Sequence, residues 1–123
     1  MYFAALVPLV ALDAVWLGYL ARGFYAEKLG FLFNAVKPGP AIIFYLLYAA
    51  GLAYFVVRPT AGEPLLTTFL TGALFGLSAY AAYDLTNQAT IEGWPVIATL
   101  ADLAWGAFAS GTAAAVAAFL TRV

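Results

Sequence analysis

Long runs of apolar residues separated by short polar turns make up this chain. Four runs approach or exceed the roughly 20 residues that an α-helix needs to cross the hydrocarbon core of a membrane. They extend over about residues 2–21, 40–57, 65–87 and 95–120. Proline and glycine mark the turns at 37–40, 58–64 and 93–95, which suits their preference for helix ends. The pattern predicts an all-α membrane protein, a bundle of four transmembrane helices in one transmembrane domain over residues 1–123.

The connection between the first and second spans, residues 22–37, has a mixed character. Its apolar residues recur at helical spacing with polar residues between them, which is typical of a helix lying in the membrane interface. The alternative is an extension of the first span into the headgroup region. Gly23 and Gly30 disfavour that extension because glycine weakens a continuous helix. We therefore predict a short interfacial helix between spans 1 and 2.

The composition supports a membrane location. Hydrophobic residues make up 66% of the 123 residues and charged residues only 9%, whereas a soluble domain has about 25% charged residues. A chain of this size cannot bury so much apolar surface in a single core. The net charge of −1 gives no indication of nucleic acid binding, and no basic tail is present for anionic lipid. Membrane lipid is the predicted surrounding.

The chain contains no cysteine and no histidine. Disulfides, thiolate metal sites and cysteine nucleophiles are therefore excluded, together with the usual base at neutral pH. Aspartate and tyrosine can act as acids and bases, but no nucleophile–base pair and no set of metal ligands is visible. We expect no catalytic residues, no metal site and no enzyme, and the sequence leaves any cofactor unknown.

The most polar stretch inside a span runs from Tyr80 to Thr90. Tyr80, Asp84 and Asn87 follow one another at i, i+4 and i+7, and Tyr83 lies beside them on the same side of a helix. A carboxyl, two phenols and an amide therefore share one helical face.

Two further acids lie in other spans, each followed by a tryptophan. Asp13 and Trp16 in the first span, and Asp102 and Trp105 in the fourth, share the form Asp-x-x-Trp. At this spacing the indole can lie beside the carboxyl. The two spans run antiparallel, so the repeat is compatible with a pseudo-twofold axis of the kind that frames binding sites in transporters, or with chance.

Helix geometry predicts the depth of these residues. We call the end of the bundle that holds both termini and the turn at 58–64 side A, and the opposite end side B. At 1.5 Å of rise per residue, the candidate polar cluster forms two layers in the half of the bundle nearer side B. The deeper layer is Asp13, Tyr80 and Asp102, and the next layer is Trp16, Asp84 and Thr99.

Three intramembrane acids need compensation. An ionised Asp near the centre of a span costs roughly 2.5–3.5 kcal/mol, and no Lys or Arg lies inside a predicted span. The acids are either protonated and hydrogen-bonded between helices, exposed to a water-filled cavity, or occupied by a cation. Other aromatics of the second span are expected to face lipid or the interface, namely Phe44, Tyr45, Tyr48, Tyr54 and Phe55.

Small residues mark the helix-packing surfaces. Gly72 and Gly76 continue a stripe that steps every fourth residue along the third span, and Gly106 and Ser110 do the same in the fourth. Such stripes let two membrane helices approach closely. The short connection between these spans favours a contact within one chain over a homodimer contact.

The chain as a whole resembles a family of small bacterial four-span membrane proteins known only as a domain of unknown function. The resemblance rests on Leu12-Asp13-x-x-Trp16-Leu17-Gly18, Phe24-Tyr25, Leu29-Gly30, Phe44-Tyr45-Leu46-x-Tyr48, Gly72-Ala73-Leu74-Phe75-Gly76, Ala79-Tyr80-x-x-Tyr83-Asp84-Leu85-Thr86-Asn87-x-Ala89-Thr90, Trp94-Pro95, Thr99, Asp102 and Trp105-Gly106. It implies four helices in the bacterial inner membrane and no particular activity.

The charges that set membrane orientation are few. Side B has Arg22, Lys28 and Lys37, and side A has Arg58 and Arg122, so the positive-inside rule hardly discriminates. Members of the resembling family are basic at the N-terminus and between the second and third spans, which implies that both termini are cytoplasmic. The first stretch lacks a basic start and an Ala-x-Ala site, so we expect a retained span and not a signal peptide.

Three classes of function remain open at this point. The first is a small transporter or a unit that binds a proton or cation at the acids, working as a homodimer. The second is a structural or accessory subunit of a larger membrane-protein complex, in which the polar cluster fixes the helix register. The third is a module that binds a hydrophobic small molecule such as a pigment, quinone or lipid.

Overall fold

The computed structural model describes residues 2–15 and 38–122, and these residues form helices joined by turns, without any strand. The helices are α1 (Tyr2–Val15), α2 (Pro38–Leu52), which continues as a π-helical segment (Ala53–Val57), α3 (Leu65–Thr90) and α4 (Val96–Arg122). The predicted all-α class is therefore confirmed. The ends of α3, of α4 and of α2 together with its π-helical continuation lie within one helical turn of the predicted ends.

Three of these helical segments are long and apolar enough to cross a membrane. They are Gly39–Val57, Leu65–Thr90 and Val96–Arg122, with 19, 26 and 27 residues and mean hydropathies of 2.0, 1.5 and 1.6. The helix α1 is apolar but shorter over its described length. The predicted end of the first span near residue 21 and the predicted interfacial helix at 22–37 lie outside the described residues.

The helices α3 and α4 form the most extensive contact of the bundle. A Cβ atom added to Gly72 would lie 2.9 Å from the Cβ atom of Ala114, and one added to Gly76 would collide with the Gly106 carbonyl and the Ser110 side chain. The two small-residue stripes therefore face each other inside one chain. Their contact is antiparallel and leaves no room for larger side chains.

The helices α1 and α2 complete the core from the other side of α4. Leu9 of α1 and Leu52 and Val56 of the α2 segment are fully or almost fully buried. They pack against a row of alanines on α4, among them Ala109 and Ala113. Because alanine side chains are short, α1 can lie close to α4.

Polar contacts close the bundle at side A. The Thr60 hydroxyl donates to the Val56 carbonyl at 2.7 Å, and the Thr68 hydroxyl donates to the Thr60 hydroxyl at 2.8 Å. A guanidinium nitrogen of Arg122 donates to the Thr60 carbonyl at 3.1 Å. Gly62 adopts a φ of +87° in this turn, a conformation that favours glycine. The turn is thus tied to the ends of α3 and α4.

Candidate functional site

The Asp13 carboxyl of α1 accepts hydrogen bonds from side chains of α2, α3 and α4. The Tyr45 hydroxyl of α2 donates to Oδ2 at 2.5 Å, and the Trp105 indole nitrogen of α4 donates to Oδ1 at 2.7 Å. The Tyr80 hydroxyl of α3 donates to Oδ2 at 3.3 Å, which is long for a hydroxyl donor and therefore weaker. Asp13 is only 5% exposed. The four described helices thus meet at one buried carboxyl.

Two tyrosines of α2 belong to the interior, so the prediction that Tyr45 and Tyr48 face lipid was wrong. Tyr45 is half-buried and bonds to Asp13. Tyr48 is 6% exposed, and its hydroxyl lies 2.6 Å from the Ser110 hydroxyl of α4. The small residues of α4 leave room for these rings. A buried phenol needs a hydrogen-bond partner. The i, i+3 spacing of the two tyrosines places both rings on one face of α2 but does not show that this face is the inward one.

The other aromatics of this helix are exposed, although Phe44 also borders a cavity. Phe44, Tyr54 and Phe55 are 44%, 58% and 63% exposed. The Tyr54 ring also stacks under the Arg58 guanidinium, 5.2 Å from its carbon to the ring centroid. This is the position of a belt residue at side A, where an aromatic ring and a cation share the interface.

The other two acids, Asp84 and Asp102, lie between α3 and α4. The Asp84 and Asp102 carboxyls are neighbours. Asp84 is 2% exposed, whereas Asp102 is half-buried. Within the part of the chain that the structure describes, the Asp84 Oδ2 atom is buried and has no hydrogen-bond partner. The structure thus divides the three acids into Asp13, which accepts from several donors, and the neighbouring Asp84 and Asp102 between α3 and α4.

The remaining predicted cluster residues that the structure describes make no hydrogen bond to Asp13. Tyr83 is 58% exposed and lies about one turn before Asn87 on α3. Thr99 is buried but accepts from the Trp94 indole at 3.1 Å and not from a phenol or an acid. The Trp94 ring also meets the Tyr83 ring edge-on at 5.9 Å. Trp16, which was predicted to stand beside Asp13, lies outside the described residues.

Trp94 is a site neighbour that was not expected from the sequence. It is 6% exposed and covers the start of α4 at side B. Its position five residues before Thr99 places the indole within reach of that hydroxyl across the first turn of α4. The adjoining Pro95, which begins a helix readily, was the available signal that Trp94 would lie at a helix start and not in a free loop.

A cavity of about 550 Å³ lies beside the acids, in the half of the bundle nearer side B. This volume is in the range of small-molecule sites. Aromatic and small apolar side chains form most of the wall, and two carboxyls face it. Its described lining residues are Asp13, Pro40, Ala41, Phe44, Tyr45, Ala79, Tyr80, Tyr83, Asp102 and Trp105, none of which is basic.

The residues around this cavity give little support for a metal site. Over residues 2–15 and 38–122, no group of three or more His, Cys, Asp or Glu side chains is placed to hold a metal ion. Both Asp13 oxygens already accept hydrogen bonds. The site therefore provides carboxyl groups and aromatic ring faces, and not the set of several oxygen ligands that a hard metal ion prefers.

The sequence profile of DUF2177, described as a predicted membrane protein, matches residues 1–119. The chain therefore belongs to this family, which confirms the resemblance seen in its motifs. No curated protein and no solved structure matches the chain. The family establishes a membrane protein without an assigned activity, so any function has to be argued from the geometry of the site.

Proposed function

We propose that the protein binds a small organic cation in the cavity beside Asp13 and Asp102, as the binding unit of a small transporter. The observation that supports this function is the lining of the cavity. Two carboxyls and the rings of Phe44, Tyr45 and Trp105 face a space of about 550 Å³. Carboxylates and aromatic faces together are the usual recognition surface for an ammonium group.

Charge balance also favours a cation. An intramembrane acid is costly unless it is neutralised or paired. A cation in the cavity would place a positive charge beside the carboxyls of Asp13 and Asp102, which both line it.

An organic cation suits the site better than a metal ion. The Asp13 oxygens are held by Tyr45, Tyr80 and Trp105, so they can balance a charge at a distance but have little capacity left for direct coordination. The rings provide contact area that a small metal ion cannot use. We propose binding and movement of such a cation, without catalysis.

Location and assembly follow from this proposal. We place the protein in the bacterial inner membrane with both termini in the cytoplasm, the orientation that the family resemblance suggests. The cavity would then open toward the outer face of that membrane. Because four helices form a thin wall, we propose a homodimer as the transporting species.

Binding can be tested with benzyltrimethylammonium and its neutral carbon isostere neopentylbenzene, which have the same shape. We expect the ammonium compound to bind the purified protein in nanodiscs, with a change in tryptophan fluorescence from Trp105, at least tenfold more tightly than the isostere. Asp102→Asn should weaken ammonium binding about tenfold or more because it removes a carboxyl facing the cavity. Glu92→Gln, in the exposed turn at side B, is the matched control.

Each outcome selects a function. Equal binding of both compounds would show a site for hydrophobic molecules and overturn the cation proposal. Binding of neither would favour the structural function, in which the polar cluster fixes helix register inside a larger membrane complex. The specific observation behind that second candidate is the set of three donors on Asp13, which fits an interhelical connector. Co-purification with partner subunits in a mild detergent would support it.

Movement across the membrane is measured separately. Proteoliposomes that contain the protein should accumulate radiolabelled benzyltrimethylammonium faster than empty liposomes. The Glu92→Gln protein should match the unmodified protein, and Asp102→Asn should be slower. Binding without any protein-dependent uptake would restrict the function to a binding module.

A further inference from the structure

A second, apolar groove lies on the surface of the bundle between α2 and α3. Its volume is about 610 Å³, and its described lining residues are Leu47, Ala50, Gly51, Tyr54, Phe55 and Phe75. It shares none of these residues with the cavity beside Asp13. Because Leu47, Tyr54 and Phe55 are exposed, the groove is open to the surrounding membrane.

Small residues on α2 and a well-packed ring on α3 give the groove its depth. Ala50 and Gly51 form part of its wall, and a Cβ atom added to Gly51 would lie 3.3 Å from the Cζ atom of the Phe75 ring. The Phe75 ring is half-buried and packs against the Tyr48 ring, with 5.4 Å between their centroids. Since α2 has little side-chain volume opposite this ring, a depression remains between the two helices.

The groove and the residue at its end extend over the depth of one membrane leaflet. Leu47, Gly51, Tyr54 and Arg58 are spaced at i, i+4, i+7 and i+11, which places them along one side of a helix. At 1.5 Å of rise per residue, Leu47 and Arg58 are about 16 Å apart along the axis, and half of the hydrocarbon core of a bilayer is about 15 Å. Because Arg58 caps the helical segment at side A, the groove runs from the middle of the membrane to the side A surface.

A cation lies at the side A end of the groove. The Arg58 guanidinium lies over the Tyr54 ring, 5.2 Å from its centroid, and Tyr54 lines the groove. This contact holds the guanidinium at the level of the lipid headgroups. A guanidinium can donate two parallel hydrogen bonds to a phosphate group. Arg58 is exposed, so a lipid phosphate has access to it.

We propose that this groove is a binding site for an anionic phospholipid of the side A leaflet. One acyl chain lies against Gly51 and Phe75, and the phosphate group binds the Arg58 guanidinium. Two observations favour this occupant: the apolar wall has the length of an acyl chain in one leaflet, and the positive charge lies where the headgroup of that lipid would be. The site is separate from the cation cavity and does not depend on the function proposed for it.

Native mass spectrometry measures the lipid that remains on the protein after release from nanodiscs. The nanodiscs contain equal amounts of dioleoylphosphatidylglycerol and dioleoylphosphatidylcholine, which have identical acyl chains and differ in net charge. We expect the protein to retain the anionic lipid about fivefold more often or better. Arg58→Gln should abolish this preference, and Arg58→Lys should keep most of it. Arg122→Gln removes the other arginine of side A and is the matched control, which should behave like the unmodified protein.

Ala50→Phe tests the position of the acyl chain by filling the groove with a ring. Ala50 is exposed, so the added ring projects into the groove and not into the core of the bundle. We expect retention of the anionic lipid to fall about fivefold or more, although Arg58 is unchanged. Ala104→Phe, at an exposed position of α4 outside this groove, is the matched control and should retain the lipid normally.

Three results would overturn the inference. Equal retention of the two lipids by the unmodified protein would show that Arg58 does not select an anionic headgroup. Normal lipid retention by Ala50→Phe would place the bound lipid elsewhere on the surface. A lipid-free dimer that Ala50→Phe converts to a monomer would assign the groove to a second copy of the chain. The first result comes from the unmodified protein, so it decides the question even if a variant does not fold.

Discussion

The hydroxyl of Tyr45 on α2 donates to the carboxyl of Asp13 on α1 at 2.5 Å, across 32 residues of sequence. This is the shortest of the three hydrogen bonds that Asp13 accepts. It connects the first described helix to a helix that was expected to face lipid at this position. The stability of the acidic site therefore depends on a residue of α2 as well as on the acids.

Tyr45→Phe should destabilise the protein because it removes this donor and keeps the ring. A hydrogen bond between membrane helices contributes about 0.6 kcal/mol on average, and one to a charged group about 1.5–3 kcal/mol. We expect the free energy of unfolding to fall by about 1–2 kcal/mol. Unfolding in mixed micelles with increasing SDS, followed by tryptophan fluorescence, measures the change.

Tyr54→Phe is the matched control for this change. Tyr54 is on the same helical segment but is 58% exposed at side A, and phenylalanine retains the ring under Arg58. Its free energy of unfolding should stay within about 0.5 kcal/mol of that of the unmodified protein. Equal stability of the two variants would mean that the bond between Tyr45 and Asp13 contributes nothing.

Gly106→Ala should disturb the contact between α3 and α4. A Cβ atom at this position would collide with the Tyr80 ring, which has little space to move because it packs against the core. Overpacking of this kind costs about 1–3 kcal/mol. The expected result is a lower unfolding free energy together with weaker binding of benzyltrimethylammonium, because Tyr80 lines the cavity.

Gly39→Ala provides the control for glycine replacement. A Cβ atom at Gly39 meets nothing within 4 Å, and alanine favours a helix over glycine by up to about 1 kcal/mol. This variant should be as stable as the unmodified protein or slightly more stable. Similar losses in both variants would contradict the close approach of α3 and α4.

The bond between Tyr48 and Ser110 can be measured with a double-mutant cycle. Tyr48→Phe, Ser110→Ala and the double variant should show a coupling energy of about 0.6 kcal/mol, with an upper limit near 1.7 kcal/mol for membrane proteins. The physical reason is the direct hydroxyl contact at 2.6 Å. SDS unfolding of the four proteins gives the value.

A second double-mutant cycle, which combines Tyr48→Phe with Ser78→Ala, is the control. The Ser78 hydroxyl donates to the Leu74 carbonyl of its own helix and is exposed, so it should show no coupling to Tyr48. A coupling energy near zero in both cycles would show that the contact between Tyr48 and Ser110 does not stabilise the fold.

Single cysteines report the orientation, since the chain has no cysteine of its own. Glu63→Cys and Glu92→Cys place a thiol in the exposed turns on either side of α3. With the termini in the cytoplasm, an impermeant maleimide should label Glu92→Cys in intact spheroplasts and Glu63→Cys only after permeabilisation. The reverse pattern would invert the orientation, and labelling of both in intact spheroplasts would contradict a spanning α3.

Several features of the fold follow from the sequence through simple geometry. The length of each apolar run determined where α2, α3 and α4 begin and end, because the hydrocarbon core has a nearly constant thickness. Small residues at every fourth position determined how α3 meets α4, as Gly76 and Ser110 show. The regular rise of a helix determined that Asp13 and Tyr80 stand at one depth, where they are hydrogen-bonded.

Only the tertiary structure decided which side chains complete the site. The helix α2 is apolar on every face, and lipid is as apolar as the core, so hydrophobic periodicity does not mark the inward side of a membrane helix. Tyr45 therefore could not be distinguished from Phe44 by pattern alone. The proximity of Asp84 to Asp102 likewise depends on how α3 and α4 are rotated about their axes. Those rotations are set by the packing of all the helices together, and no single stretch of sequence contains them.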